Sequence, residues 1–271
     1  NYLINSGFQV AQAATSATIT AGTARPTQSI GYPVVDSWFC YSVGGNPTLA
    51  RVTGSGATAN RLQLTGAASI TSVGIGQRLE AIDTTSLALK TVTLSFECSN
   101  SLLTSLTVVA NRPTTTADTF GTIGTPTKTL INSTNVVINS TLTRYSVTFT
   151  CPQEVDKGLE ILFVLGAQTS GTFVLANVKL EEGSVSTTYV TSDFAIEELR
   201  RCQRYFLSAT LFVGNATVYL NSYTFPSTMR TTPITVGGGA GYSQFLLNSF
   251  GVAHQQTASF NQALTFSAYI P

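Results

Sequence analysis

Charge is what this sequence has least of. Lys, Arg, Asp and Glu together make up 10% of its 271 residues, well below the quarter or so of an ordinary soluble domain. The formal net charge is +1, with 14 basic residues spread along the chain rather than massed. Such a distribution offers no general attraction for nucleic acid or an anionic membrane surface. Histidine is nearly absent: the single one, His254, sits among Ala253, Gln255 and Gln256 and suggests no triad. The four cysteines, Cys40, Cys98, Cys151 and Cys202, form no CxxC and no Cys/His cluster, so neither a metal site nor a metal cofactor is expected. Cys98 and Cys151 each close an alternating segment and read as buried apolar thiols. A Cys98–Cys151 disulfide is the alternative, and would need an oxidising compartment. No apolar run approaches the roughly 18 residues of a membrane-spanning helix. The opening Asn1-Tyr2-Leu3-Ile4-Asn5 lacks the regions of a secretory signal, and a start without Met points to trimming or to a longer polypeptide.

What is present suits strands and turns. Apolar residues reach 43%, and Thr, Ser, Asn and Gly fill the space that charge leaves. Lys90 to Cys98 and Arg144 to Cys151 alternate apolar and polar residues, the period of a half-buried strand. Leu159 to Leu165 and Phe173 to Leu180 are denser in apolar residues and read as central strands covered on both faces. The Ser-, Thr- and Asn-rich stretch 99–143 reads as longer loops. The fold class is therefore all-β, a jelly-roll β-sandwich over residues 1–190.

One segment breaks the pattern. Ser192 or Asp193 caps a helical stretch through Phe206, with acids at 197 and 198 ahead of bases at 200, 201 and 204. Residues 191–206 thus read as a linker helix. From 207 to 271 a small C-terminal β domain follows, with strands near 216–225 and 260–270, and residues 206–271 hold one charged side chain, Arg230. So small and sparsely charged a domain is expected to hide its surface against copies of itself. Leu199, Tyr205, Phe206, Tyr219, Tyr223 and Phe266 are the candidate oligomer-interface residues.

Several stretches, in order, resemble one family. Leu3-Ile4-Asn5-Ser6-Gly7-Phe8-Gln9-Val10-Ala11-Gln12 looks like the start of a module found in bacteriophage tail-fibre and other virion appendage proteins. Asp36-Ser37-Trp38, Ile75-Gly76-Gln77-Arg78-Leu79-Glu80 and Leu89 to Phe96 resemble its later landmarks. So do Ala176-Asn177-Val178-Lys179-Leu180-Glu181-Glu182-Gly183-Ser184, Thr187-Thr188-Tyr189, Glu197-Glu198-Leu199 and Cys202-Gln203-Arg204-Tyr205-Phe206. Phe225-Pro226 and Met229 to Pro233 resemble the opening of its C-terminal β segment. Ser6 departs from the usual Asn-Gly, and Phe206 from a common Tyr. The resemblance implies a jelly roll similar to carbohydrate-binding modules, a helix, and a small β domain that helps to form a homotrimer. It also implies a place on the virion, with other virion proteins and host-surface polysaccharide as partners.

Candidate chemistry is thin. Glu80 with Asp83, Glu154 with Asp156, and Glu181 with Glu182 are the carboxylate pairs that a glycosidase would need, and the glycine-rich 236–241 lacks the Lys-Ser/Thr of a phosphate loop. Binding remains, and no enzyme is expected. Sugars pack a C–H face on an aromatic ring, and Tyr and Trp supply flat area with one polar end. Tyr32, Trp38 and Tyr41 are the candidate glycan contacts, with core packing the other reading of Trp38. The function expected is a non-enzymatic fibre or adhesin. A capsid decoration or head-fibre protein and a secreted lectin are the alternatives.

Overall fold

Apolar residues that alternate along a strand give it one face to bury, and two sheets so made bury those faces against each other. The computed structural model describes residues 1–22, 33–122, 125–190, 195–212, 219–236, 242–256 and 261–268. They fall into two compact units, Asn1–Asp193 and Phe194–Tyr269.

The first unit contains β1 (Ser16–Thr18), β2 (Phe39–Val43), β3 (Thr48–Thr53), β4 (Asn60–Thr65), β5 (Ser72–Leu79), β6 (Thr91–Asn100), β7 (Ser105–Pro113), β8 (Lys128–Val137), β9 (Thr143–Thr150), β10 (Leu159–Leu165) and β11 (Thr172–Glu182). One turn of helix, α1 (Ala81–Thr84), follows β5. The strands form a six-stranded sheet, β1-β3-β4-β11-β6-β9, and a five-stranded sheet, β2-β5-β10-β7-β8. Within them, β4-β11-β6-β9 faces β5-β10-β7-β8, the strand order of a jelly roll built from two Greek keys. The first unit is thus the expected jelly-roll sandwich. Leu159 to Leu165 coincides with β10, and both β10 and β11 are central strands.

Between the sheets lies one apolar layer. From β6 it takes Val92, Leu94, Phe96 and Cys98, and from β10 Leu159, Ile161, Phe163 and Leu165. A chain of rings runs through it: Phe8 meets Trp38 edge-on at 5.2 Å, Trp38 stacks on Phe163 at 6.5 Å, and Phe163 meets Phe96 edge-on at 4.9 Å. The start of the chain is tied to this layer. Asn5, at φ 51°, donates from Nδ2 to the carbonyls of Val10 and Asp36 and accepts from the Val10 N–H. Trp38 Nε1 donates to the carbonyls of Ile4 and Asn5. Gln77 pairs its carboxamide with both backbone groups of Ile4, at 2.8 and 2.7 Å. A left-handed residue that must also bridge two backbone segments is best met by Asn.

The stretch 99–143 corrects the expectation of long loops, because it carries β7 and β8, two of the longer strands. β7 does alternate, with Leu106, Val108 and Ala110 in the core. β8 is an outer strand of its sheet with no fully buried residue, so polar side chains suit both of its faces.

The second unit contains α2 (Ala195–Gln203), β12 (Phe206–Phe212), β13 (Tyr219–Thr224), β14 (Ile234–Val236), β15 (Tyr242–Asn248), β16 (Gly251–Gln256) and β17 (Asn261–Ser267). Its sheets run β12-β17-β14 and β13-β16-β15. Helix α2 belongs to this unit: Ser227 Oγ donates to the Arg200 carbonyl, and Arg230 N–H to the Arg204 carbonyl. Three proposed interface residues, Tyr205, Phe206 and Phe266, are buried within the chain, with Phe225 and Phe266 ring centroids 4.8 Å apart. They fill a core, which corrects their assignment to a subunit contact; Leu199 is half-buried on α2. Tyr219 and Tyr223 stand opposite Gln256 and Val252 in the β13–β16 pair, and their side chains lie outside the described residues. The glycine-rich 237–241 lies outside them too.

All four cysteines are free and buried, so Cys98 and Cys151 are apolar thiols rather than a disulfide. Burial pushes Cys98 up to about 12 and Cys151 up to about 11. With so little thiolate, both should resist iodoacetamide at pH 8. Mass spectrometry should find them unlabelled in the folded protein and fully labelled in denaturant; ready labelling of the native form would contradict this burial.

Candidate functional site

The outward face of the five-stranded sheet gathers groups that its sequence scatters. Residues i and i+2 share a strand face, so with Cys40, Ile75 and Phe163 in the core, the outward residues are Phe39 and Tyr41, Gly74 and Gly76, Leu162 and Val164, Thr107 and Val109. Register places Tyr41, Gly74, Val164, Thr107 and Asn135 in one row across β2, β5, β10, β7 and β8. At the usual strand spacing that row is about 19 Å long.

Glycine makes the row flat. A Cβ on Gly74 would stand 2.2 Å from Tyr41 Cε1, and one on Gly76 would stand 2.8 Å from Phe39 Cζ. Any larger residue would lift these rings off the sheet. Tyr41 remains half-buried, as do Val164 and Thr107, while Asn135 is exposed. Burial, and then the charge of Glu160, push the Tyr41 phenol up to about 12. Its hydroxyl keeps its proton at any physiological pH.

A charged cluster occupies the same face. Glu160, fully buried on β10, accepts from Arg78 Nε at 2.9 Å, Lys128 Nζ at 2.6 Å and Asn111 Nδ2 at 2.9 Å. Burial alone would raise its pKa, but the Arg78 and Lys128 charges outweigh this and hold it below the ordinary carboxylate value. The Arg78 guanidinium lies between two rings, 5.4 Å from the centroid of Phe39 and 4.8 Å from that of Phe120, and donates to the Gly121 carbonyl. Thus the cluster ties the 114–127 connection to the sheet.

Of the proposed glycan contacts, only Tyr41 stands on this face. Trp38 is fully buried and spends its N–H on the N-terminal turn, which corrects its assignment as a surface contact. Tyr32 lies outside the described residues. The carboxylate pairs fare no better. Glu181 and Glu182 are consecutive in β11 and take different partners, Lys179 and Lys90. Glu154 reaches toward Arg112 at 3.7 Å, and Glu80 is buried while Asp83 is exposed on α1. Sequence reasoning missed Glu160, Asn111 and Lys128. A lone Glu inside the apolar run Leu159 to Leu165 was the available signal, because a charge on a covered strand requires partners.

No protein-family profile matches the chain, and no curated relative does. Among solved structures, the chain is similar to one described as CBM4, at 18% identity, covering 55% of this chain and 88% of that one with a TM-score of 0.42. A family 11 carbohydrate-binding module from Clostridium thermocellum, in complex with a mixed-linked tetrasaccharide, aligns at 16% identity over 62% of this chain and 96% of its own, with a TM-score of 0.37. The enzymatically active domain of bacteriophage CBA120 tailspike protein 4 aligns at 14% identity, covering 54% of this chain but 19% of that chain, with a TM-score of 0.40.

Removing the Glu160 charge leaves Arg78 and Lys128 uncompensated. Glu160→Gln should therefore cost about 3–5 kcal/mol in chemical denaturation. Because the folded-state pKa is depressed below the unfolded value of 4.5, the stabilisation is complete above that pH and is lost as pH falls through the folded-state value. Melting temperature should consequently fall more steeply below pH 4.5 in the wild type than in Glu160→Gln; parallel curves would refute an ionised Glu160.

Proposed function

We propose that the first unit is a non-catalytic glycan-binding module whose contact surface is the outward face of β2-β5-β10-β7-β8, centred on Tyr41. The row Tyr41, Gly74, Val164, Thr107, Asn135 carries this reading. It sets an aromatic ring on a glycine floor beside an apolar side chain, then a hydroxyl and an amide. A pyranose presents the same alternation, with C–H groups on one face and hydroxyls at its rim. Tyr41 and Val164 take the C–H face, and Thr107 and Asn135 bond to hydroxyls. The row is long enough for several sugar units in line. Nothing in it titrates near neutrality, and Glu160 is held by three partners. This surface holds a glycan without cleaving it.

The proposed setting is an appendage on a bacteriophage particle, in which three copies of the chain associate through the C-terminal unit alongside other virion proteins. The ordered family resemblance and the near absence of charge from residues 206–271, where Arg230 is the one charged side chain, support it. With Tyr205, Phe206 and Phe266 in the core, subunit contact falls to other groups. Within the described strands, β12, β14, β13 and β15 each leave one edge unpaired, and such edges invite pairing with another chain. Three linked copies of one weak site raise avidity through effective concentration.

Two measurements test these proposals. On a polysaccharide array, Tyr41→Ala should weaken binding at least about tenfold, some 1.4 kcal/mol, with little change in melting temperature; undiminished binding would remove the face from the argument. Sedimentation equilibrium at micromolar concentration should return three times the 28.6 kDa chain mass, and a monomer would overturn the trimer.

A further inference from the structure

The opposite side of the same sandwich carries a concavity. Its volume is about 320 Å³, and its lining is Glu97, Arg144, Asn177 and the segment Ser186, Thr187, Thr188, Tyr189. Glu97 and Arg144 are cross-strand partners on β6 and β9. Asn177 comes from a break in β11, where the register with β6 shifts between Ala176 and Lys179. Such a bulge re-aims a side chain and recurs beside binding sites. Here Asn177, at φ 48° and buried, donates from Nδ2 to Glu97 Oε1 at 3.1 Å.

The wall opposite the sheet is built as deliberately. Residues 183–189 fold back over the face, where Thr187 donates from both N–H and Oγ1 to Glu181. Lys179 donates to Thr187 and to the Thr188 carbonyl. Burial opposes ionisation of Glu181, yet Thr187 and Lys179 hold it down at about 2, so the wall stays anchored through the physiological range. Tyr189 closes one end, its hydroxyl 3.1 Å from Ser6 Oγ. A Cβ on Gly7 would stand 2.7 Å from the Tyr189 hydroxyl oxygen, so the glycine in the Asn5-Ser6-Gly7-Phe8 turn clears the place for this ring.

What the cavity lacks points to its ligand. Arg144 Nη2 donates to Ser95 Oγ and to the Thr187 carbonyl, but Nη1 is buried with no hydrogen-bond acceptor, 3.8 Å from Glu97 Oε1. A donor and a carboxylate acceptor thus sit side by side. An anionic ligand would meet Glu97 and a cationic one Arg144. A neutral hydroxyl pair satisfies both, since each hydroxyl donates and accepts. The volume is at the low end of the roughly 300–1,000 Å³ of small-molecule sites, with room for one ring rather than a chain. We propose that this cavity is a second carbohydrate site, distinct from the Tyr41 face, that takes a single neutral pyranose with vicinal hydroxyls facing Glu97 and Arg144 and its ring against Tyr189.

The probes are the methyl glycosides of glucose, galactose and mannose, added to the full-length protein and followed by backbone amide NMR. At least one, at about 10 mM and thus with a millimolar Kd, should shift the amides of Ser186 to Tyr189 and Asn177 while sparing Thr107 and Asn135. Glu97→Gln and Arg144→Lys, each confirmed folded by its melting curve, should weaken that binding at least about tenfold, whereas Tyr41→Ala should leave it unchanged. Shifts confined to the Tyr41 face would overturn this site and leave the first reading standing. Overturning results also include no shift with any of the three, stronger binding by glucuronate or by a zwitterionic amino acid, or affinity untouched in both cavity variants.

Discussion

Glu160 is an ionised group with no solvent around it, near the start of a strand whose other residues are apolar. A buried carboxylate is tolerated only when its charge and lone pairs are met within the protein, and meeting them here recruits three elements. Arg78 comes from β5, Asn111 from β7 and Lys128 from β8. Arg78 in turn draws Phe39 and Phe120 onto its guanidinium and holds the Gly121 carbonyl. One end of the five-stranded face is therefore closed by a charged cluster, and the row through Tyr41 and Val164 is left as its partly open strip.

The other face follows a different logic. There the outward residues of β6, Thr93 and Ser95, are as buried as the core-facing ones. The cover is the chain itself: Thr93 Oγ1 donates to the Gly183 carbonyl, and Arg144 reaches Ser95. Hydroxyls suit a strand covered by backbone, because they satisfy carbonyls and cations that apolar side chains would strand. The bulge in β11 and the Asn5 turn both put Asn in left-handed geometry. The Asn5 side chain bridges two backbone segments and that of Asn177 reaches across the bulge to Glu97, and the two sites meet where Val178 N–H donates to the Ser6 carbonyl.

Legibility tracked how far each residue's role depended on distant partners. Alternation in Lys90 to Cys98 and Arg144 to Cys151, and the dense apolar runs of β10 and β11, reflect burial against whatever lies opposite, and so could be read locally. The polar stretch that holds β8 could not, because an outer strand that buries no residue fully, and packs only Ile131 and Val136 against the core, shows no continuous apolar face. Trp38 was ambiguous for a related reason. An aromatic cluster has the same local appearance in a core and on a platform, and the Trp38 Nε1 donates to Ile4 and Asn5, 34 and 33 residues upstream.

The C-terminal unit shows the same division. Its lack of charge is plain in composition, but whether an aromatic residue there fills a core or an interface is a matter of packing, and Phe266 against Phe225 fills a core. The sequence by itself determined the class of fold, the central strands, the helix and the burial of Cys98 and Cys151, since each depends on short-range periodicity or on composition. Tertiary structure alone decided which side chains share a face. Register across five strands brings Tyr41 into line with Thr107 and Asn135, and a one-residue shift in β11 aims Asn177 at Glu97. No local pattern encodes either alignment, because strands distant in the chain become neighbours only when the sheets close.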